Sequence, residues 1–279
     1  MKYASRQHYA DHLASIDIDG LDVVLVASYA DLIKARADGH RRIVLMQHGI
    51  GQSYSDSNPA YPGGRDNADV GLFLAPGPHP AQRWRDAYPR ASVEVVGSPR
   101  LDYLPLRSPG PLTVAVTFHW RDGGHEKSNA FAFYRTAIAK LAQSVKVIGH
   151  AHPRANRLER FYRMHDIEYV PSFDDVCRRA DVLLFDNTSA GYEFASTGRP
   201  VVVLNSPEYR KTADHGLRFW QAADVGIQVD VPARMEEAVW RALASRPGDL
   251  EARETALSMV YGYRTGAARR SREVIERWA

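Results

Sequence analysis

Short apolar runs, free of charge, alternate with helical stretches along most of this chain, and that alternation restricts the fold more than any single motif. "LDVVLVAS" reads as a buried strand, and "YADLIKARADGH" follows as a helix ending near Gly39. "RRIVLMQHG" and "DVGLFLAPG" are the next strands, "PAQRWRDAYP" is a helix, and "SVEVVGSP" is a further strand. Continuous apolar strands separated by helices predict a parallel sheet covered on both faces. "SPRLDYLPLRSPGPL" then carries Pro99, Pro105, Pro109 and Pro111, too many for a central strand or helix interior, and is expected to be a linker with the boundary near Ser108. The second half resumes the alternation. The strands are "LTVAVTF", "VKVIGHAHP", "IEYVP", "DVLLFD" and "PVVVLN"; the helices are "NAFAFYRTAIAKLAQ", "NRLERFYRMH", "FDDVCRRA" and "SAGYEFASTG". The expected class is α/β, with two Rossmann-like, doubly wound parallel-sheet domains facing across a cleft, residues 1–108 and 109–279.

Composition removes several alternatives. Cys177 is the one cysteine, so no internal disulfide and no cysteine metal cluster can form. The net charge of +3 is too small to argue for nucleic acid. No run approaches the roughly 18 apolar residues of a membrane span, and the N-terminus has no secretory h-region, so a cytoplasmic protein is expected. The tail "RTGAARRSREVIERWA" has helical spacing, with Ala267, Ser271, Val274, Ile275 and Trp278 on one face and Arg269, Arg270, Arg272 and Arg277 mostly elsewhere. It reads as a helix packed on a domain; the competing reading is a basic surface touching an anionic membrane.

Open parallel sheets bind ligands outside the carboxyl ends of their strands. The polar clusters collect there: Gln47, His48 and Gly49; Gly97, Ser98, Pro99 and Arg100; His119, Trp120 and Arg121; His150, His152, Pro153 and Arg154; Asp186, Asn187, Thr188 and Ser189. Thr188 and Ser189 are expected to cap a helix whose N-terminus attracts phosphate, with Gly191 allowing close approach of a ligand; an ordinary cap without ligand is the alternative. His48, beside a glycine, has the chemistry of a general base, although single histidines are more often structural. His150 and His152 have a spacing that suggests a metal, but no third ligand accompanies them. Asp174 and Asp175 read as cap and dipole partners of a helix. Arg100 and Arg154 have the fork geometry that suits phosphate. "GIGQSYSDSNPAYPGG" lacks the dinucleotide fingerprint and reads as a loop.

"MQHGIG", "VVGSPRLDYL", "VIGHAHPRA", "ADVLLFDNTSAGYEFASTGRPVVVLN" and "YRTGAARRSREVIERW" occur in an order that resembles the CDP-glycerol glycerophosphotransferase family, the teichoic-acid polymerases and primases of the GT-B glycosyltransferase superfamily. The resemblance covers roughly residues 40–279. It implies that His48 accepts the proton of the acceptor hydroxyl. It implies that His152 stabilises phosphate charge, that Thr188 and Ser189 hold the donor diphosphate in a motif opened by Asp186, and that Arg100 and Asp102 lie near the hinge. Asn187, Arg154, His119 and Arg121 complete the expected donor site, with Gly49 at the cleft. The first domain is then acceptor-binding, and the second is nucleotide-donor-binding with a terminal helix free to cross back.

The sequence departs from the family where His150 replaces a lysine and where "DNTS" replaces D-Y-S-S. The expected partners are a nucleotide-activated donor, CDP-glycerol or a nucleotide sugar, and a hydroxyl acceptor on a glycan or lipid-linked polymer. Neither a metal, another cofactor nor a nucleic-acid partner is expected, and the expected location is cytoplasmic or peripheral on the inner face of the membrane. Three other readings remain open: a GT-B glycosyltransferase, a UDP-GlcNAc 2-epimerase-like enzyme, and a non-catalytic nucleotide- or glycan-binding relative.

Overall fold

The apolar runs form two separate parallel sheets. A computed structural model of the chain describes residues 1–4, 7–50, 69–119, 129–152, 155, 157–186, 188–207 and 224–279. It divides into a first unit, Met1–Tyr103 with Ser258–Ala279, and a second, Leu104–Leu257.

The sheet of the first unit runs in sequence order: β1 (Lys2–Tyr3), β2 (Val24–Val26), β3 (Ile43–Met46), β4 (Leu72–Ala75) and β5 (Ser92–Val95). All four strand pairs are parallel. Side chains alternate between its faces. Val24, Val26, Ile43, Leu45 and Phe73 meet Leu32 and Ala35 of α2 (Tyr29–Ala37) and Ala81 and Trp84 of α3 (Pro78–Ala87). α2 follows β2 and α3 follows β4, and both lie on this face. Leu25, Val44, Met46, Leu72 and Leu74 point the other way. They are covered by Leu13 and Ile16 and, from the far end of the chain, by Val274 and Ile275 of the terminal helix Ala267–Trp278. The apolar stripe of the tail thus lies in this core. Its arginines Arg269 and Arg272 pair with Glu273 and with Asp17 and Glu276.

Asp102 fixes that helix in place. Its Oδ1 accepts from the backbone N–H of Gly266 at 2.5 Å and of Ala267 at 3.4 Å, and its Oδ2 from Ala268 at 3.2 Å. Gly266, at the N-cap with φ 72, has no side chain to do this. A carboxylate from about 165 positions earlier in the chain therefore satisfies the open N–H groups and faces the positive end of the helix dipole. Replacing Asp102 with Ala is expected to lower the stability of the chain by about 1–2 kcal/mol, seen as a lower melting temperature, with Asp102→Asn costing less.

The expected linker is used in two ways. Pro99–Tyr103 forms a 3-10 helix that presents Asp102 within the first unit. Arg107 instead holds Asp181 at 3.0 Å and Ser108 N–H bonds Arg178 O at 2.8 Å, both inside the second unit. The units accordingly divide after Tyr103 rather than at Ser108, and the second crossing falls inside the helix Pro247–Val260.

The sheet of the second unit has the order β11-β10-β9-β6-β7-β8, all parallel: β6 (Thr113–Phe118), β7 (Lys146–Ala151), β8 (Glu168–Tyr169), β9 (Val182–Phe185), β10 (Val201–Leu204) and β11 (Ile227–Val229). The chain builds outward from β6 through β7 and β8, then returns to the other side of β6 for β9 to β11. One face packs on α4 (Phe131–Leu141), α5 (Arg157–Met164) and α8 (Met235–Ala244) through Tyr134, Ile138, Tyr162 and Val239. Gly149 belongs to that packing, because a Cβ there would lie 2.5 Å from the Tyr162 ring. The edge strands β1 and β11 are too short to show a sequence pattern. Among the described residues no helix is long and apolar enough to cross a membrane.

Candidate functional site

In the second unit, the reversal of strand order beside β6 is a topological switch point, where the connections on either side leave toward opposite faces and open a crevice at the carboxyl ends of the strands. The residues there are His119 after β6 and Asp186, Thr188 and Ser189 after β9. Asp186 is 1% exposed. Its Oδ1 accepts from His119 N–H at 2.8 Å and its Oδ2 from Ala130 N–H at 3.1 Å. Asn129 adds a bond from its Nδ2 to His119 O and receives Phe131 N–H on Oδ1 at 2.9 Å. Asp186 therefore braces the start of the segment after β6 and the entry to α4 by using its charge on backbone amides. A carboxylate so placed shapes the crevice from behind.

After Asp186 comes α7 (Ala190–Ala195). The expected double cap is corrected by the structure. Thr188 Oγ1 receives Ala190 N–H at 3.4 Å, whereas Ser189, at the N-cap, makes no side-chain capping bond. Its backbone is already helical (φ −61, ψ −22), and the extended conformation that aims a capping hydroxyl at the first turn is absent. Gly191 is also reassigned. A Cβ there would lie 2.3 Å from the Phe185 ring, so the close approach it permits is made by the protein's own strand.

His152 follows β7, and its ring centroid lies 6.2 Å from that of His119, placing two imidazoles at the ends of adjacent strands. His150 points inward: its Nδ1 is 2.9 Å from Thr117 Oγ1, its cross-strand neighbour, and its ring packs on Phe173 at 5.4 Å. Burial pulls its pKa down to about 4, so it is a neutral core histidine at ordinary pH. Among the described residues no group of three His, Cys, Asp or Glu side chains is placed to hold a metal. The carboxylate pair lies in the first turn of α6 (Phe173–Arg179), as expected of dipole partners, but the N-cap is Ser172, accepting Asp175 N–H at 3.3 Å, and Asp175 pairs with Arg178.

In the first unit, His48 and Gly49 follow β3. His48 is half-buried, and its Nδ1 lies 2.6 Å from Ala27 O. A carbonyl can only accept, so Nδ1 carries a proton, and in the neutral form of the ring the lone pair is on Nε2. Gly49, at φ 73, makes the left-handed turn that follows. Gln47 is buried, its Oε1 accepting Trp84 Nε1–H at 2.7 Å.

The ends of β4 and β5 are occupied by the chain itself. Gly262 N–H bonds Pro76 O at 2.9 Å, and Gly77 touches Val260 so closely that a Cβ would lie 2.4 Å from its carbonyl. Gly97, with φ 92, lies under Tyr263 and Ala267. Gly97, Arg100 and Asp102 thus stand where the returning segment crosses. Sequence reading missed the pair Ser28 and Asp31, although "SYAD" carries the capping-box spacing that announces it.

Trp120, Arg121, Pro153, Arg154, Asn187 and residues 51–64 of the expected loop lie outside the described residues. A cavity of about 290 Å³ in the second unit is lined by Pro200, Gly226, Arg241, Asp249 and Arg253. It sits where β10 and β11 begin, at the opposite end of the sheet from Asp186, and brings none of the expected site residues together.

No protein-family model matches the chain, and the comparison with curated proteins found no match. Solved structures do share its fold. The wall teichoic acid polymerase TagF superposes with a TM-score of 0.62 at 12% identity, over 92% of this chain and 72% of that one. A UDP co-structure of MnaA from S. aureus gives 0.63 at 17% identity, over 95% and 78%. A UDP-GlcNAc 2-epimerase from Neisseria meningitidis, bound to UDP-GlcNAc, gives 0.60 at 16%, over 92% and 76%. The two parallel sheets with flanking helices are those of the GT-B fold.

Proposed function

We propose, from the GT-B fold, that this chain is an enzyme that binds a nucleotide-diphosphate donor in its second unit and transfers a polyol phosphate, glycerol phosphate in the first instance, to a hydroxyl acceptor. The observation that supports this reading is the placement of His119 after β6 and of Thr188 and Ser189 after β9, on either side of the topological switch point, with His152 beside His119 and the buried Asp186 bracing the segment after β6. Backbone N–H groups, hydroxyls and imidazoles are the groups that position a diphosphate and spread its charge, and phosphoryl transfer asks little else of a protein. His152 and His119 face the developing charge, with Arg154, Arg121 and Asn187 as further donor contacts. In the first unit, His48 takes the proton of the acceptor hydroxyl through Nε2. The acceptor is a glycan or lipid-linked polymer, and the reaction needs no metal.

A nucleotide-sugar donor is the second reading. The chain superposes as well on structures bound to UDP and to UDP-GlcNAc as on the polymerase, and "DNTS" departs from the glycerophosphotransferase pattern. Thermal shifts with CDP, CDP-glycerol, UDP, UDP-sugars, GDP and ADP, with and without EDTA, separate the two. A ligand at about 100 times its dissociation constant adds about 2.7 kcal/mol to the native state. A cytidine-selective shift, unchanged by EDTA and abolished in Thr188→Val/Ser189→Ala, is the expected result. A uridine-selective shift favours the sugar donor, and no shift with any nucleotide removes the donor site from this crevice.

A further inference from the structure

His48 is held by more than its neighbours in sequence. Its Nδ1 donates to Ala27 O at 2.6 Å. Ala27 is buried and lies one residue beyond the last β2–β3 pair, Val26 with Leu45, so its carbonyl is beyond the end of that ladder. The orientation of this carbonyl depends on the peptide plane shared with Ser28, and residue 28 is locked from three directions. Its Oγ accepts Asp31 N–H at 3.2 Å, its hydroxyl donates to Asp31 Oδ2 at 2.6 Å, and its carbonyl receives Leu32 N–H at 3.0 Å. Asp31 is 2% exposed. A helix cap needs the first and third of these bonds. The second, a buried hydroxyl turned onto a buried carboxylate, fixes the rotor of Ser28 as well. On its own side His48 is flanked by Gln47, whose N–H bonds Leu74 O at 3.0 Å, and by the Gly49 turn. Both ends of the Nδ1–H···O=C bond are therefore anchored to the sheet.

We propose that Ser28 and Asp31 are positioning residues for His48: by fixing the Ala27 carbonyl they select the Nδ1–H tautomer and leave Nε2 as the basic nitrogen. The catalytic consequence rests on the reading of His48 as the base. In that step the acceptor oxygen bonds to the transferred phosphoryl group. The phosphoanhydride bond breaks, and the nucleoside monophosphate leaves with its electron pair. The hydroxyl proton moves to Nε2. The resulting imidazolium keeps Nδ1–H on Ala27 O, where its charge strengthens the bond.

The test uses the full chain and needs no ligand. Nitrogen–proton correlation spectra of the imidazole rings, with His48 assigned through His48→Gln, report which ring nitrogen carries the proton. The wild type is expected to show Nδ1–H. Ser28→Gly removes both side-chain bonds yet keeps a residue that is accepted at helix N-caps, so the fold tolerates it. It is expected to populate the Nε2–H form, with Ser28→Thr restoring the wild-type ring. With the donor found by the nucleotide panel, Ser28→Gly should lower kcat about tenfold, the equivalent of one weakened hydrogen bond, at unchanged KM. An Nε2–H ring in the wild type, or an unaltered ring in Ser28→Gly, overturns the proposal. A ring that changes while turnover does not would keep the positioning role and remove His48 as the base.

Discussion

Replacing His48 with alanine is expected to lower turnover by about 10²–10⁴-fold while nucleotide affinity stays as in the wild type. The split follows from where the residue lies. His48 ends β3 in the first unit, and the proposed diphosphate groups, Thr188 and Ser189, follow β9 in the second. A base contributes to the transition state, where the hydroxyl proton moves, and adds nothing to the ground-state hold on the donor. The measurement is kcat beside the thermal shift at saturating donor. A variant that turns over at a near wild-type rate would show that another group takes the proton. Loss of nucleotide binding instead would place His48 in the donor site.

The second large effect concerns stability and pH. His150 is buried beside Thr117 and Phe173 and titrates near pH 4, against about 6.5 for an unfolded histidine. Between those values the unfolded chain binds a proton that the native chain refuses. The contribution of neutral His150 is thus complete above about pH 6.5 and is lost as pH falls toward 4. The slope approaches about 1.4 kcal/mol per pH unit, and the whole loss is about 3 kcal/mol. His79 moves in the same direction, first through burial and then through Arg83, so the His150 part must be isolated. Urea unfolding of wild type and His150→Gln from pH 7 to 4 does so. Carboxylates held low by partners, such as Glu168 beside Arg179, act at the acid end of this range and below, and are common to both proteins. The wild type should lose about 3 kcal/mol more than the variant across the range. Parallel curves would show that His150 accepts its proton in the folded state.

Much of the fold is legible because it rests on local pattern. Runs such as "LTVAVTF" and "PVVVLN" are apolar on both faces, which is the condition of a central parallel strand, and they lie in β6 and β10. The candidate site is legible to the same depth. Strand ends carry His48, His119, His152 and Asp186 because parallel sheets leave their loops there. What each side chain does at a strand end was less readable. Thr188 and Ser189 look alike in sequence, yet only Thr188 makes the capping bond, since the backbone angles at 189 decide it. His150 and His152 are two positions apart, yet one is a core residue and the other stands beside His119.

The sequence by itself determined the α/β class, the two parallel sheets and the strand ends at which polar residues gather. Each of these depends on periodicity and on chain punctuation within a few neighbouring residues. The tertiary structure decided what is distant in sequence. Asp102 caps a helix that begins at Ala267, Val274 and Ile275 cover a sheet face that α2 and α3 leave open, and Gly77, Gly97 and Gly191 make room for the protein's own chain. α2 and α3 cover one face of the first sheet, and the opposite face is closed by Leu13 and Ile16 from the β1–β2 connection together with a segment from the far end of the chain. In the first unit part of that cover comes from the last helix of the chain, and no local pattern announces that partner.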